Sequence, residues 1–241
     1  MMDLLTFEWR RARSIRTTWI TSFFVIASAV GFAYLGTLAF TDVADVPVAA
    51  PTTTILSDSI IGNPIAIVLL ASLGAMAFGH EYRYGTIRLT LTAFPRRAGV
   101  FFAKFTMTVV IALVVTASSV AAGYGLLLLT GNLTPGGQSW MTMAWQTATF
   151  ALTFALLAFG ITVLTRNHPL GIVGPLLLSI LESALIGLLG SRFEWLPDVL
   201  PLSALQSWFI GEDVARSMGV WGAWMLVVLA SGFVLLKRRD A

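Results

Sequence analysis

The chain has 241 residues, of which 57% are hydrophobic and only 11% are charged, and its net charge is +3. Soluble domains are about half apolar and about a quarter charged, so this chain has too few polar residues to cover a surface in water. Its apolar runs are continuous rather than alternating, which favours membrane-spanning helices over a membrane barrel. The absence of cysteine excludes disulfides and thiolate metal sites.

The chain begins with a segment, residues 1–17, that mixes apolar side chains with Glu8 and four arginines: Arg10, Arg11, Arg13 and Arg16. This mixture predicts an amphipathic helix on the inner membrane surface. The alternative is a charged flank that only orients the first span. Span 1 is predicted at residues 18–40. Its apolar run exceeds the roughly 7–15 residues of a signal-peptide core, so we expect it to be retained.

Five more apolar stretches are each long enough to cross a hydrocarbon core of about 30 Å. They predict spans at residues 59–79, 105–129, 141–165, 169–190 and 218–236, with the glycine- and proline-containing turn 131–137 separating the third from the fourth. In span 2, Ala71, Ala75 and Gly79 recur every four residues, which predicts a close packing face within or between subunits. The expected fold is a single all-α transmembrane domain, residues 1–241, with six transmembrane helices.

Glu182 is the one ionisable residue deep inside a predicted span. An intramembrane carboxylate is costly, which indicates a functional site in substrate contact or proton relay. The alternative is a carboxyl group that is protonated, or hydrogen-bonded to Ser179, Ser183 or a neighbouring helix. No second acidic or basic residue lies inside a span to complete a relay, and this favours the alternative.

The loop at residues 191–217 follows span 5 and is too apolar to lie free in water. Pro197 and Pro201 interrupt it, which predicts short re-entrant or interfacial helices rather than a seventh span. Such helices could cap an exit path, or they could only plug the end of the bundle.

The distribution of basic residues predicts the orientation of the chain. With six spans, one side of the membrane receives all but two of the 15 Lys and Arg residues, and the other side receives Arg192 and Arg216. Loops on that second side carry acidic residues, among them Asp42 and Asp45, while the basic C-terminal residues, including Arg239, lie on the first side. Because cytoplasmic loops are enriched in Lys and Arg, both termini are expected to be cytoplasmic.

Motifs for catalysis and nucleotide binding are missing. A P-loop needs a lysine between Gly and Ser or Thr, but the two lysines, Lys104 and Lys237, follow Ala103 and Leu236. His80 and Glu81 begin like a zinc-protease motif, yet Tyr84 stands where the second histidine must bind the metal. We therefore expect no catalytic residue, metal or cofactor site on this chain.

The segment between spans 2 and 3, residues 80–104, is the densest basic and aromatic stretch of the chain, and we call it the coupling segment. Its apolar positions nearly alternate with polar ones, and Pro95-Arg96-Arg97 then interrupts the pattern. This predicts a short amphipathic helix, a turn and a basic re-entry, with Glu81 at the helix start, where the helix dipole favours an acid. The alternative is a simple charged loop.

The order Glu81, Gly85-Thr86, Pro95-Arg96-Arg97 and Lys104 resembles the segment that joins spans 2 and 3 in permease subunits of bacterial ABC transporters of the ABC-2 type. The six spans, the N-terminal amphipathic helix and the apolar last outer loop fit the same family. The resemblance implies a cytoplasmic coupling helix seated in a cleft of an ATPase. It further implies that the following residues dock or orient this helix: Glu81, Arg83, Gly85, Thr86, Arg88, Pro95, Arg96 and Arg97.

The resemblance also implies partners. Two ATPase subunits would bind ATP and Mg²⁺ and dock from the cytoplasm, and a second permease subunit, either another copy or a related chain, would face this one. Lipid and a hydrophobic transported compound complete the expected partners, and the implied location is a bacterial cell membrane. No nucleic acid partner is expected, because the basic residues flank spans instead of forming one stripe.

The function expected from the sequence is therefore a non-catalytic permease subunit of an ATP-driven exporter. The expected cargo is a hydrophobic or amphipathic compound such as a drug, an antibiotic, a peptide or a lipid-like molecule. A proton-coupled secondary transporter using Glu182 is the alternative. A membrane enzyme is the third possibility, although no nucleophile-base pair or metal-ligand set supports it.

Overall fold

A computed structural model describes residues 2–39 and 50–238 of the chain. The described residues form helices and connecting turns, without a strand. Six of these helices are long and apolar enough to cross a membrane, which confirms the predicted all-α membrane architecture. Four residues used above, Phe40 at the end of span 1 together with Asp42, Asp45 and Arg239, lie outside the described residues, as does Met1.

The described residues form ten α-helices. They are α1 (Met2–Ser14), α2 (Arg16–Ala39), α3 (Thr52–Ile61), α4 (Pro64–Arg83), α5 (Ile87–Ala93), α6 (Arg97–Leu129), α7 (Trp140–Thr165), α8 (His168–Leu189), α9 (Pro201–Ile210) and α10 (Val214–Arg238), with a 3-10 turn at Pro197–Val199. The spans are α2, α4, α6, α7, α8 and α10. We call the end of the bundle where α4, α7 and α10 terminate the basic end, and the opposite end the far end.

The spans differ in how much of their surface is buried: α7 lies at the centre of the bundle, whereas α8 lies on its outside. In α7, 72% of the most apolar window is buried, whereas in α8 the figure is 11%. The exposed side chains of α8 are large and apolar, for example Leu181 and Leu188. Because such side chains are stable only away from water, this face of α8 is suited to lipid or to another membrane protein.

Small residues let α4 approach its neighbours closely. Ala71 and Ala75 are fully buried and pack with Ala158 of α7. A methyl group added at Gly79 would overlap the ring of His168 at the start of α8. The stripe of small residues in span 2 therefore packs within this subunit, against α7 and α8.

Span 2, helix α4, begins at Pro64 rather than at residue 59 as predicted. Asn63 caps α4: its Oδ1 accepts hydrogen bonds from the backbone N–H groups of Ile65 (3.0 Å) and Ala66 (3.2 Å). Pro64 occupies the first helical position, where its missing N–H costs nothing. Residues 59–61, predicted as part of span 2, belong instead to the separate helix α3.

Two spans are longer than predicted. The helix α6 begins at Arg97 rather than at residue 105, and α10 begins at Val214 rather than at residue 218. Charged residues do not end these helices because they lie at the ends of the bundle, where water or a charged partner can reach them. With 33 residues, α6 is about 50 Å long at roughly 1.5 Å per residue, well beyond the thickness of a hydrocarbon core.

The apolar loop 191–217 contains the 3-10 turn and α9. Leu205 of α9 is buried in the main core with Leu70 and Phe150. Gln146 of α7 donates a hydrogen bond from Nε2 to the carbonyl oxygen of Phe209 (2.8 Å). Because α9 is held by both apolar packing and a hydrogen bond, it closes the far end of the bundle.

Candidate coupling site

The turn between α4 and α5 depends on a glycine. The helix α4 ends at Arg83, and Gly85 then adopts a φ of 68°, in the left-handed region. A methyl group added at Gly85 would meet open space, so the backbone conformation rather than crowding selects glycine here. This turn redirects the chain so that α5 lies across the basic end.

One face of α5 is anchored in an aromatic cluster of the bundle. Ile87 is buried among Phe78, Phe101 and Phe159, and Leu91 packs against the same cluster. The rings of Phe78 and Phe159 lie 5.4 Å apart, and those of Phe101 and Phe159 lie 5.3 Å apart. These contacts attach α5 directly to α4, α6 and α7.

The other face of the coupling segment is exposed. Tyr84 is 69% exposed and Leu89 is 70% exposed, and Arg83 and Arg88 lie beside them at the surface. The guanidinium carbon of Arg83 lies 5.7 Å from the centroid of the Tyr84 ring. A large exposed apolar side chain among arginines on a seven-residue helix has the composition of a protein-binding surface.

A groove runs between this face and α1. Its volume is about 690 Å³, and we call it the coupling groove. Phe7 of α1 and Ile15, just after α1, line one wall, and Leu89 and Ala93 of α5 line the other. The ring of Phe7 lies 5.4 Å from that of Phe94, just after α5. The N-terminal helix and the coupling segment therefore form the two walls of one open groove.

The residues predicted to dock or orient the coupling helix do not share one environment. Six of them lie exposed at the surface of the coupling segment: Arg83, Gly85, Thr86, Arg88, Pro95 and Arg96. Arg97 is half-buried and points to α10, where its Nη1 donates to the carbonyl oxygens of Leu236 (3.1 Å) and Lys237 (3.4 Å). Glu81 is buried.

The predicted position of Glu81 at the start of the coupling helix is wrong. Glu81 lies in the last turn of α4, whereas α5 begins at Ile87. An acid is unfavourable near a helix C-terminus, because the dipole there is negative. Two cations offset this cost: Arg11 Nη1 lies 2.7 Å and Lys104 Nζ 2.8 Å from Glu81 Oε1.

The same two cations also contact a second acid. Glu8 Oε2 lies 3.0 Å from Arg11 Nη1, and Glu8 Oε1 lies 2.8 Å from Lys104 Nζ. We call these four residues, Glu8, Arg11, Glu81 and Lys104, the charge ring. Their side chains are 5%, 17%, 6% and 0% exposed, respectively. The ring joins α1, α4 and α6 and has no net charge when all four groups are ionised.

Burying four charges requires that each keep its partners. The cost of removing an ion from water is several kcal/mol, and deleting one partner of a buried pair destabilises by about 3–5 kcal/mol. Lys104 has an additional contact, because its Nζ lies 5.2 Å from the centroid of the Phe78 ring. The ring is thus the most electrostatically demanding feature of the basic end.

The sequence predicts Glu8 and Arg11 only as charges of an amphipathic helix, and not as site residues. The available signal was weak: Glu8 is the one acid of α1 that follows Leu4 by four residues, and so lies on an apolar face of the helix. Its partner Lys104 lies almost a hundred residues away, and no local pattern connects the two.

Glu182 lies towards the far end and has a different role in the fold. Its two carboxylate oxygens accept hydrogen bonds from the backbone N–H groups of Leu202 (3.2 Å) and Ser203 (2.5 Å), and from the Ser203 hydroxyl (2.8 Å). These N–H groups belong to the first turn of α9, which has no partner of its own for them. Glu182 therefore caps α9 from a neighbouring helix, beside a cavity of about 220 Å³.

The two histidines meet at the basic end. The rings of His80 and His168 lie 5.2 Å apart. Within the described ranges, no group of three or more His, Cys, Asp or Glu residues could hold a metal ion. A zinc site at His80 and Glu81 has no support in this geometry.

A comparison with protein families identifies the class of this bundle. The family model described as ABC-2 family transporter protein matches residues 4–182, more than half of the chain. The chain belongs to the ABC-2 transporter family. The match extends from α1 through the coupling segment to Glu182 in α8. A search of curated proteins finds no significant match.

Membership of the ABC-2 family identifies the bundle as a multi-pass membrane component of an ABC transporter, a type of subunit that is usually not catalytic. It also implies association with an ABC ATPase subunit. The coupling groove, the charge ring and the exposed face of α5 all lie within the matched residues.

Proposed function

We propose that this chain is the permease subunit of an ATP-driven exporter and that its basic end docks an ATPase from the cytoplasm. The observation that carries the proposal is the exposed face of the coupling segment in an ABC-2 family member. That face presents Tyr84 and Leu89 among arginines on a helix anchored in the bundle. A surface of this kind favours a partner with an apolar pocket and an acidic rim.

The coupling groove gives the partner a defined place to bind. A projecting ATPase element would enter between Phe7 and Leu89, while Arg88 and Arg96 lie on the exposed side of the coupling segment. The half-buried Arg97 would orient the segment by holding α10, rather than contact the partner itself. Glu81 would likewise orient the segment, through its buried contacts with Arg11 and Lys104.

ATP and Mg²⁺ would be bound on the partner, because neither lysine of this chain follows a glycine as a P-loop requires. Two ATPase subunits and two permease subunits would make the complete transporter. Closure of the ATPase pair would move the coupling segments and switch the bundle between its two access states. The apolar lining of the cavity beside Glu182, which includes Phe150, Phe154 and Leu202, suits a hydrophobic or amphipathic cargo leaving through the far end of the bundle.

The hydrogen bonds of Glu182 argue against the secondary-transporter alternative. A proton carrier must exchange its proton during each cycle, and Glu182 would have to release the N–H groups of Leu202 and Ser203 to do so. We therefore favour the ABC permease, with the basic end in the cytoplasm of a bacterial cell.

The experiment is a purification of the tagged chain from its native membrane, with co-purified ATPase quantified per permease. Leu89→Glu should reduce recovered ATPase by about tenfold or more, since it replaces an apolar anchor by a charge and each tenfold corresponds to about 1.4 kcal/mol. Arg88→Glu combined with Arg96→Glu should also reduce recovery, and the difference from wild type should shrink as the salt concentration rises, because salt screens the exposed charges.

Matched substitutions at the far end serve as controls. Leu129→Glu introduces the same charge at an exposed leucine, and Arg192→Glu reverses an exposed arginine. Both should leave ATPase recovery unchanged. The proposal fails if no protein with ATPase motifs co-purifies with the wild-type chain, or if the basic-end and far-end variants behave alike.

A further inference from the structure

The charge ring connects parts of the chain that are far apart in sequence. Glu8 and Arg11 come from α1, Glu81 from the end of α4 and Lys104 from the third turn of α6. Each acid contacts both cations, so the four contacts close on themselves. Removing any one member would disturb the attachment of all three helices.

The helix α1 contacts the rest of the bundle at further points besides the charge ring. The Nη2 of Arg11 donates to the carbonyl oxygens of Ala77 (3.0 Å) and Met76 (3.4 Å) in α4. On the other side of α5, Phe7 contacts Phe94. The helix α1 therefore holds the coupling segment both before and after α5.

Membrane anchoring alone does not account for these contacts. An amphipathic helix binds a bilayer through its apolar face and through cations near the lipid headgroups. A buried ring of ion pairs adds little net stability compared with apolar packing, but its directional contacts fix one relative position of the helices. The charge ring therefore holds α1, α4 and α6 in one position relative to one another.

We propose that the charge ring makes α1, the coupling segment and the first turns of α6 move as one rigid unit, with Arg11 and Lys104 as positioning residues. This inference rests on the proposed function and deepens it. A displacement delivered to α5 by the ATPase passes into α6 through Glu81 and Lys104 as well as through the aromatic cluster. Without the ring, α1 no longer holds its wall of the coupling groove in place, so docking weakens and less of the displacement reaches α6.

The absence of cysteine makes a direct test practical, because two introduced cysteines can carry spin labels without interference. The first label pair, Arg13→Cys on α1 and Thr92→Cys on α5, occupies exposed positions on two elements that the charge ring holds together. In lipid nanodiscs without ATPase, the wild-type background should give one narrow distance peak. Arg11→Met should abolish that peak in favour of a broad distribution.

Two further variants serve as controls for this measurement. Arg10→Met removes a neighbouring arginine that is exposed on the same helix, and it should keep the narrow peak. If Arg11→Met does not fold, as judged by gel filtration, the milder Glu8→Gln is measured instead and should broaden the peak as well. A narrow peak in the folded Arg11 or Glu8 variant overturns the proposal.

A second label pair tests transmission rather than structure. Thr106→Cys on α6 and Leu170→Cys at the start of α8 report the movement of α6 against the bundle. In the complex with its ATPase, trapping with ATP and vanadate should shift this distance. In complexes assembled at saturating ATPase, Arg11→Met should reduce the shift, whereas Arg11→Lys should restore it in part.

The two readouts separate the inference from the proposed function. If no ATPase binds the wild-type chain, the proposed function fails. The first label pair still decides whether the charge ring holds α1 and α5 rigidly together. If ATPase binds and Arg11→Met preserves the ATP-dependent shift, the ring does not transmit motion and the inference fails alone.

Discussion

Replacing Glu182 by Ala should selectively release α9 from the far end of the bundle. The substitution removes the acceptors for two backbone N–H groups and for the Ser203 hydroxyl. Glu182 is 3% exposed and adjoins the cavity of about 220 Å³, so alanine would leave these donors without a protein acceptor. The chain would keep its six spans, because the other contacts of α9, including buried Leu205, remain.

The magnitude follows from the orphaned donors. A buried donor left without a partner costs about 1–3 kcal/mol, so two N–H groups give roughly 2–6 kcal/mol. At about 1.4 kcal/mol for each tenfold, opening of α9 should become about 30-fold to roughly 20,000-fold more frequent. Glu182→Gln keeps one oxygen acceptor but places an amide donor opposite an N–H, and we expect a smaller increase.

Hydrogen exchange measured by mass spectrometry in nanodiscs detects this opening, because amide exchange reports local unfolding segment by segment. Peptides covering 201–210 should exchange faster in Glu182→Ala, while peptides from α7 should not change. Ser183→Ala, which alters a neighbouring residue on the same cavity, should behave as wild type. Unchanged exchange in α9, or acceleration spread over every span, would refute the capping argument.

Two glycine substitutions test other parts of the bundle. Gly85→Ala should reduce ATPase recovery without altering the melting of the bundle, because a left-handed backbone costs alanine roughly 1–2 kcal/mol in the turn alone. Asparagine tolerates this backbone better, so Gly85→Asn should lose less ATPase. Equal losses in the two variants would contradict the explanation. Gly79→Ala should destabilise the bundle by about 1–3 kcal/mol in thermal melts by overlapping His168, and a second change, His168→Ala, should recover most of the loss. A Gly79→Ala protein that melts like wild type would show that α4 and α8 can separate at no cost.

Composition and apolar run length were sufficient to predict the six spans, because the bilayer imposes a length on every helix that crosses it. Local boundaries were harder. The Asn63-Pro64 start signal is present in the sequence, but it lies inside an uncharged stretch, so the sequence predicts residues 59–61, the end of α3, as part of span 2. Arg97 and Lys104 did not end α6, because their partners are supplied by α10 and by α1 with α4.

The site was predictable only in part for the same reason. The exposed arginines of the coupling segment follow from its local pattern, but the partners of Glu81 do not. Arg11 lies 70 positions before Glu81, and Lys104 lies 23 positions after it. Likewise, Glu182 could be recognised as unusual from the sequence, whereas its role as a cap depends on where α9 begins, 19 positions later. Tertiary contacts of this range leave no periodic signal in a single chain.

The length of α6 has a mechanical consequence. A rigid rod of about 50 Å in a bilayer core of about 30 Å has an overhang of roughly 20 Å, which can act as the arm of a lever with the membrane as its fulcrum. The contacts of Lys104 with Glu8 and Glu81 hold this rod near the basic end. Tilting the rod by ten degrees would displace one end relative to the other by roughly 9 Å, so movement at the basic end is carried to Leu129 at the far end.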